Sequence, residues 1–451
     1  MVGIGGPLED TRRRGTVMSK KVAAVRVVER DVVSQVSGLP DDVTVALSDI
    51  ARVAREGLLA LSVSAGLAVL AEMMEAEVTE VVGPKHAKLP DRVARRHTAT
   101  PTTVVLGGRK VPVERPRARK VEGGEVTLET FTTFAAEDLL NRVVLERMLA
   151  GVATGRHRGA SEPVGDQVET SARSTSKSAI SRRFVQATTR QLEQLLHRDL
   201  SGLDVVVLMI DGIVFADHCC VVALAITTDG TKVPVGLWLG DTENKTVVTA
   251  LLADLVARGL DADGGLLVVI DGAKALAAGV KKVFGALALI QRCTLHKRRN
   301  VTDHLPKEVA PWVDRKLAKA FRHEDPDQGR RDVLALASHL EDRWPDAAGS
   351  LREGLDEMST VRRLGVGDRL ARTLTCTNAI ESMISVARDT TRNVKRWRDG
   401  KMVRRWVAAG MLNAERSFRR IKGYKDMPGL VAALRAHAAR VTTTCETEEV
   451  A

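Results

Sequence analysis

Aromatic side chains make up only 3% of the 451 residues, with a single Tyr among them. The core must therefore be built mostly from Val, Leu and Ala, within an apolar content of 44%. Five cysteines, Cys219, Cys220, Cys293, Cys376 and Cys445, show no disulfide-like spacing, which points to a reducing compartment. No apolar h-region follows the N-terminal charges, so no secretory signal is read there. The longest uncharged run, Gly57 to Ala71, carries serines and is too short to span a bilayer. No internal repeat is found. These absences leave a cytoplasmic globular chain with no membrane partner, long enough for about three domains.

What is abundant is positive charge. The net charge is +11, which favours a polyanionic partner, most often nucleic acid. The excess is concentrated: between Arg388 and Lys425 there are 13 Lys/Arg against 3 Asp/Glu. Nearly the whole imbalance therefore sits in one stretch.

Periodicity divides the chain. Residues 1–40 read as an unstructured extension. Residues 41–125 read as helix over 41–82, then a small basic hairpin in which TTVVL and RKVPVERPR flank Gly107-Gly108. Residues 126–200 return to helix. There Ser176 is an N-cap for a helix carrying Arg182 and Arg183, which reads equally as the recognition helix of a helix-turn-helix or as an ordinary amphipathic helix. Residues 201–305 are the most regular. Strands are predicted at 205–210, 219–227, 233–239, 266–270 and 287–291, with helices at 246–258 and 273–284. Three strands in a meander followed by alternating helix and strand make a mixed α/β sheet. Residues 306–376 are helical throughout, with Trp312 and Trp344 as core anchors. A helix and basic segment occupy 377–430, and 431–451 is a tail, acidic and frayed from Val441.

Two apolar runs end on a carboxylate: VVVLMIDG at Asp211 and LVVIDG at Asp271. Asp229-Gly230, between two alternating runs, is by contrast a plain hairpin turn. Asp271 follows a run apolar on both faces and precedes a helix. Ligands gather beyond the C-terminal ends of such central strands, although turn chemistry remains open on pattern alone. Asp211-Gly212 can equally be a hairpin turn. A third carboxylate is wanted, because Mg²⁺ prefers oxygen ligands. Glu381, near the start of a helix in TNAIESMISVARDTTRNVKRW, is the candidate; capping of a surface helix is the alternative.

Several stretches, LMIDGIVF, LVVIDGAKAL, QRCTLHKRRNV, TCTNAIESMISVARDTTRNVKRWRDG and MVRRWVAAGMLNAERSFRR, together resemble the DDE transposases of the Mutator type, in their bacterial insertion-sequence branch. The likeness covers about residues 40 to 430. It implies an RNase H-like mixed-sheet catalytic domain with an all-helical insertion, plus a helical N-terminal DNA-binding region. The spacing agrees: 60 residues separate Asp211 from Asp271, and 110 separate Asp271 from Glu381. The family places the first strand beside the fourth. It also implies that Asp211, Asp271 and Glu381 hold two Mg²⁺ (or Mn²⁺) ions, which serve cleavage at the element's ends and strand transfer into target DNA. A catalytically inactive, domesticated DNA-binding protein, or an RNase H-like nuclease that cuts without joining, are the other readings. Partners on this view are double-stranded DNA, both terminal inverted repeats and target. A homodimer or higher assembly, associated with the nucleoid, is expected.

Two further groups follow. Cys293 and His296 form half a zinc site with no well-spaced second pair; in the family such a pair is better viewed as structural or DNA-positioning. Arg388, Arg392, Lys395, Arg396, Trp397 and Arg398 follow Glu381 directly and are expected to contact DNA phosphates, with Trp397 free to stack on a base. Trp406, before VAAGML, is expected in the core.

Overall fold

The computed structural model describes residues 57–449, apart from 88–91, 107, 158, 161–163, 174–175, 216 and 241–243. The expected helix over 41–82 is described only from α1 (Leu58–Val82); residues 41–56 lie outside the described residues, as does the expected extension 1–40. α1 is long and apolar enough to cross a membrane by length and composition, which the uncharged-run test missed. Its C-terminal half nevertheless carries Glu72, Glu75, Glu77 and Glu80. Leu70, Met74, Val78 and Val82 recur one turn apart and pack on the hairpin of β1 (Ala94–Leu106) and β2 (Arg109–Lys120). That hairpin stands where the sequence puts it, closing Leu106 against Arg109.

After it come α2 (Glu129–Ala135), α3 (Glu137–Leu149), α4 (Asp166–Ser171) and α5 (Lys177–Leu196). Ser176 caps α5 as expected, its hydroxyl accepting from the Ala179 N–H at 3.3 Å. Ile180, Phe184 and Ala187 form the buried stripe of α5, and Phe184 lies against Trp406 with ring centroids 4.5 Å apart. Trp406 is thus a core residue, as read from the sequence.

Five strands build the main sheet: β3 (Val205–Phe215), β4 (His218–Thr227), β5 (Lys232–Gly240), β6 (Leu266–Ile270) and β7 (Ala288–Arg292). Their order is β5-β4-β3-β6-β7. β3, β4 and β5 are antiparallel neighbours; β6 runs parallel to β3, and β7 parallel to β6. β3 continues five residues past its expected end, so Asp211-Gly212 lies inside a strand and is not a turn. Thr228–Thr231, in contrast, is the turn expected, with Gly230 at φ 84°.

The two faces of the sheet carry separate cores. Leu208 and Ile210 of β3 join Val248, Leu251, Leu252 and Leu255 of α6 (Lys245–Ala257) and Leu276 and Val280 of α7 (Lys274–Phe284). The alternate residues Val207, Met209 and Ile213 face the other way. There they meet α13 (Asp368–Leu374), α14 (Asn378–Thr391), α15 (Gly400–Glu415) and α16 (Met427–Glu449). The helical stretch expected between β7 and α14 is α8 (Thr294–Asp303), α9 (Ala310–Ala320), α10 (Pro326–Leu340), α11 (Pro345–Arg352), α12 (Thr360–Arg363) and α13. Val313, Leu317, Val333, Leu340 and Leu351 give it a core of its own. Trp344 packs at that core, but Trp312 is 37% exposed, with His339 against its ring and Lys316 over it. The expectation of a buried Trp312 fails because the inward stripe of α9 is Val313, Leu317 and Ala320.

Two C-terminal expectations also change. α14 stops at Thr391, and residues 392–399 are irregular before α15, so the basic segment begins as a loop rather than a continued helix. α16 runs to Glu449 in place of a frayed tail from Val441; Leu430 and Leu434 are fully buried against the sheet. Leu434→Ala should therefore cost about 2–5 kcal/mol of stability in urea unfolding. An unchanged midpoint would detach α16 from the core.

Candidate active site

Asp211 and Asp271 come together because β3 and β6 pair in parallel with Ile210 opposite Ile270. The next residue on each strand is an aspartate. By alternation both carboxylates point to the face that carries Met209 and Val269, which α14 covers. Asp211 is buried and its Oδ1 accepts from the Gly212 N–H at 2.8 Å. Asp271 lies at the strand-to-helix turn, where Oδ1 accepts from the Ala273 N–H at 2.8 Å and Gly272 adopts φ 114°. That turn demands glycine, because an L side chain is strained at this angle.

Glu381 stands in the first turn of α14. Thr377, fully buried at the N-cap, spends its hydroxyl on Glu381 Oε1 at 2.5 Å rather than on the helix backbone. The same hydroxyl oxygen lies 3.3 Å from Cys293 Sγ and 3.3 Å from His296 Nδ1. His296 Nδ1 is 3.8 Å from Glu381 Oε1. Cys293, His296 and Glu381 thus offer three ligand atoms within 4.8 Å of one another, a grouping among the described residues that does not include Asp211 or Asp271. The sequence pairs Cys293 with His296 but gives no sign that Glu381, 85 residues later, joins them.

Burial and charge act on this site together. Burial, with the charge of Asp271 behind it and Glu381 further off, pushes the Asp211 carboxyl up to about 6, against the Gly212 N–H and His296, which favour the anion. Hydrogen bonding to Cys293 raises His296 to about 9 in spite of burial, helped by the charges of Cys293, Glu381 and Asp211. Burial alone would raise the Cys293 thiol; hydrogen bonds with His296 and Thr377 outweigh it and bring the thiol below its ordinary value.

The remaining polar residues of QRCTLHKRR hold the helical region to the sheet. Gln291 is fully buried and donates to the Met358 carbonyl while accepting from the Val361 N–H. Arg292 donates to Gly272 O at 3.1 Å and to Glu357 Oε2 at 2.5 Å, tying the turn after Asp271 to residues 355–358. Lys297 is buried and donates to the carbonyls of Ser350 and Glu353. Sequence reading overlooked Thr377, Gln291, Arg292 and Lys297. The one available signal was a Thr four residues before Glu381, which placed it within one helical turn.

The basic candidates separate. Arg388, Arg392, Lys395, Arg396 and Arg398 are all exposed, at the C-terminal end of α14 and in the loop after it. Trp397 is half-buried and packs on Phe215 with centroids 5.2 Å apart. Arg182 is exposed on α5, whereas Arg183 donates to Asn141 Oδ1 at 3.1 Å.

A mixed sheet that sets two aspartates side by side on neighbouring strands, with a glutamate on the covering helix, is the architecture onto which the comparisons fall. The family model described as "Transposase, Mutator family" matches residues 43–420, and the chain belongs to that family. It is 25% identical over 307 residues to the transposase for insertion sequence element ISRM5 of Rhizobium meliloti, covering 66% of this chain and 73% of that one. It is also 25% identical over 301 residues to the transposase for IS256 in transposon Tn4001 of Staphylococcus aureus, covering 63% and 73%. A probable insertion-sequence transposase of Corynebacterium diphtheriae matches 41% of this chain and 52% of its own length at 27% identity. The family carries a role in DNA transposition and contact with DNA.

The raised Asp211 has a thermodynamic consequence. Its folded value of about 6 lies above the unfolded value of about 3.9, so between the two the folded state holds the extra proton. Stability contributed by this group therefore falls as pH rises through that window and is fully lost above it. Without divalent ions, Asp211→Asn should be more stable than the wild type above pH 6, by roughly 2–3 kcal/mol. The gap should close as pH falls toward 4. Urea unfolding at both ends of that range measures it, and a gap independent of pH would show that the Asp211 carboxylate is not the strained group.

Proposed function

We propose that the chain is a DDE transposase whose Asp211, Asp271 and Glu381 form one oxygen-donor set for cleavage at the ends of its own mobile element and strand transfer into target DNA. The observation that carries this is the β3–β6 register, which sets two aspartates side by side on the face covered by the helix of Glu381. The strand order supports an RNase H-like sheet, with the segment from α9 to α13 as the helical insertion before the last acid. The domain limits 201–305, 306–376 and 377–430 follow from that reading.

The donor set fits Mg²⁺ or Mn²⁺. All three side chains offer oxygen, and a dication would favour the anion of Asp211, which burial and, after it, the charge of Asp271 disfavour. Two such ions held there would activate the attacking oxygen and stabilise the leaving one in an in-line displacement at phosphorus. The protein's own part is positioning. Asp211 and Asp271 are fixed by backbone N–H donors, and Glu381 by Thr377 and His296. In the first step water attacks phosphorus, the bond to the 3′ oxygen breaks and a 3′-OH is freed. In the second, that 3′-OH attacks a target phosphodiester, bonding to its phosphorus while the target's own bond from phosphorus to the 3′ oxygen breaks and leaves a target 3′-OH. Each is a displacement at phosphorus, so one site serves both without a covalent protein–DNA intermediate.

Cys293 and His296 are read as positioning residues for Glu381. One observation favours zinc there instead: three protein ligands and an open position suit a catalytic zinc. Reactions with Mg²⁺ that survive Cys293→Ser but not Glu381→Gln would decide for positioning. Two element ends must be paired, so a dimer or larger assembly on nucleoid DNA is proposed.

The decisive assay uses DNA flanking the gene with Mg²⁺ or Mn²⁺. Wild type should nick at an inverted repeat and join the 3′-OH to target. Asp211→Asn, Asp271→Asn and Glu381→Gln should lose both steps by several orders of magnitude while still binding DNA. Robust cutting by any of the three removes that residue from the site. Cutting without joining makes the chain a nuclease, and binding without cutting a DNA-binding protein. Arg396→Ala, in the exposed loop after α14, should lower the slope of log affinity against log salt by about 1. An unaltered slope would take Arg396 off the phosphate path.

A further inference from the structure

A large cavity lies not over the carboxylates but beside them. It measures about 920 Å³ and is lined by six cations: Lys232, Arg369, Arg372, Arg419, Arg420 and Lys422. Its floor is the N-terminal end of α14, through Asn378, Ala379 and Ser382. Through the shared residues Arg372, Cys376 and Asn378 it continues into a second cavity of about 180 Å³, where Arg298, Arg322 and Arg362 join the wall. Through Ala318 and Arg322 that one continues into a third, of about 500 Å³, lined by Arg315, Lys319 and His323. The three form one trough. It runs from the β4–β5 turn, past the start of α14, to the outer face of α9.

No Asp or Glu lines any of the three cavities among the described residues. The nearby acids are already engaged: Asp229 with Arg420 at 3.2 Å, Asp314 with Arg298 at 2.6 Å, and Asp368 with Arg362 and Arg372 at 2.9 and 3.0 Å. Arg369, Arg419, Lys422, Arg315, Lys319 and Arg322 are exposed and form no salt bridge among the described residues. A wall of unneutralised cations costs self-repulsion unless an extended polyanion shares it.

The helix end adds a second feature. Thr377 gives its hydroxyl to Glu381 and makes no side-chain cap. The Asn378 N–H is held by the Cys376 sulfur, and the positive end of the helix dipole lies at the trough. Asn378 and Ser382, four apart, line the trough. Glu381 is only about 60° round the helix from Asn378.

We infer that this trough is a track for one DNA sugar–phosphate backbone, leading that strand past the N-terminal end of α14 to the carboxylate site. It is separate from the exposed basic loop at the other end of α14. Its cavities seat a single backbone and leave the rest of the duplex outside. The inference rests on the proposed function for its direction toward Glu381, but not for the binding itself.

The test is accordingly made without chemistry. Full-length protein carrying Asp271→Asn, free of divalent ions, is titrated with a labelled mixed-sequence duplex over a series of salt concentrations. Adding Arg419→Gln and Lys422→Gln should lower the slope of log affinity against log salt by about 2, one unit for each lost phosphate contact. The control pair Lys282→Gln and Lys307→Gln, both exposed and outside the trough, should leave it unchanged. Equal slopes for trough pair and control overturn the track. Should the trough pair fail to fold, Ser382→Cys carrying a photocrosslinker decides on an otherwise intact wall: cross-linking to DNA is expected, and its absence overturns the proposal. Because binding is read without metal, an enzyme that never cuts can still show the track.

Discussion

Everything at the centre of this molecule depends on the parallel pairing of β3 with β6. One residue of slip would turn one aspartate to the opposite face, into the core formed with α6 and α7. The register is held by apolar packing on both sides: Leu208, Ile210, Val268 and Ile270 below, Met209 and Val269 above. These side chains are fully buried, so a shifted register would expose carboxylates to hydrocarbon and hydrocarbon to water. The site is built where the fold is least free to move. Burying Asp211 there, with Asp271 beside it, has a cost that appears in its raised value.

The third acid is a harder problem, because 110 residues of chain intervene. The structure solves it with buried polar contacts rather than with apolar packing alone. Gln291, Arg292 and Thr294, at the end of β7 and the start of α8, reach Met358, Glu357 and Thr375. Thr360 returns a hydroxyl to the Ile290 carbonyl. Each bond is directional, and each would leave a buried polar group unsatisfied if the helical region rotated. The helices thus have their own core but no freedom to drift from the sheet, and Glu381 arrives at the end of a fixed path.

Much of this was legible in the sequence, and the reasons are local. The strands and helices of 205–292 follow from uninterrupted apolar runs and from Val248, Leu251, Leu252 and Leu255 at helical spacing. The hairpin at Gly107-Gly108, the Ser176 cap and the Asp229-Gly230 turn follow from turn and cap chemistry. Failures came where a residue's role was set by a distant partner. Asp211-Gly212 carries a turn signature, yet β4 extends far enough to pair it as strand. Lys297 and Arg292 look like two more solvated cations, yet the Ser350 and Glu353 carbonyls hold Lys297, and the Gly272 carbonyl and the Glu357 carboxylate hold Arg292. Of the proposed site, the three carboxylates were picked out only through the ensemble of motifs; the strand pairing cannot be seen in spacing, and the four-residue step from Thr377 to Glu381 shows only that the two share a helical turn.

Charge shows the same division between what a run of residues suggests and what the fold does with it. The stretch from Arg388 to Lys425 looks like one block of positive charge, but the fold splits it across α15. Arg392, Lys395, Arg396 and Arg398 stay at the C-terminal end of α14. Arg419, Arg420 and Lys422 are carried back to its N-terminal end, where Ile421 N–H bonds to Gly230 O and Gly423 fits against Leu370. A helix of 14 residues spans about 21 Å, so cations stand at both ends of the element that presents Glu381. A polyanion contacting both ends has to cross that helix on the side of its exposed residues. Asn378, Ser382 and Ser385 are exposed there, short and uncharged, and leave room for a backbone beside a carboxylate that would otherwise repel it.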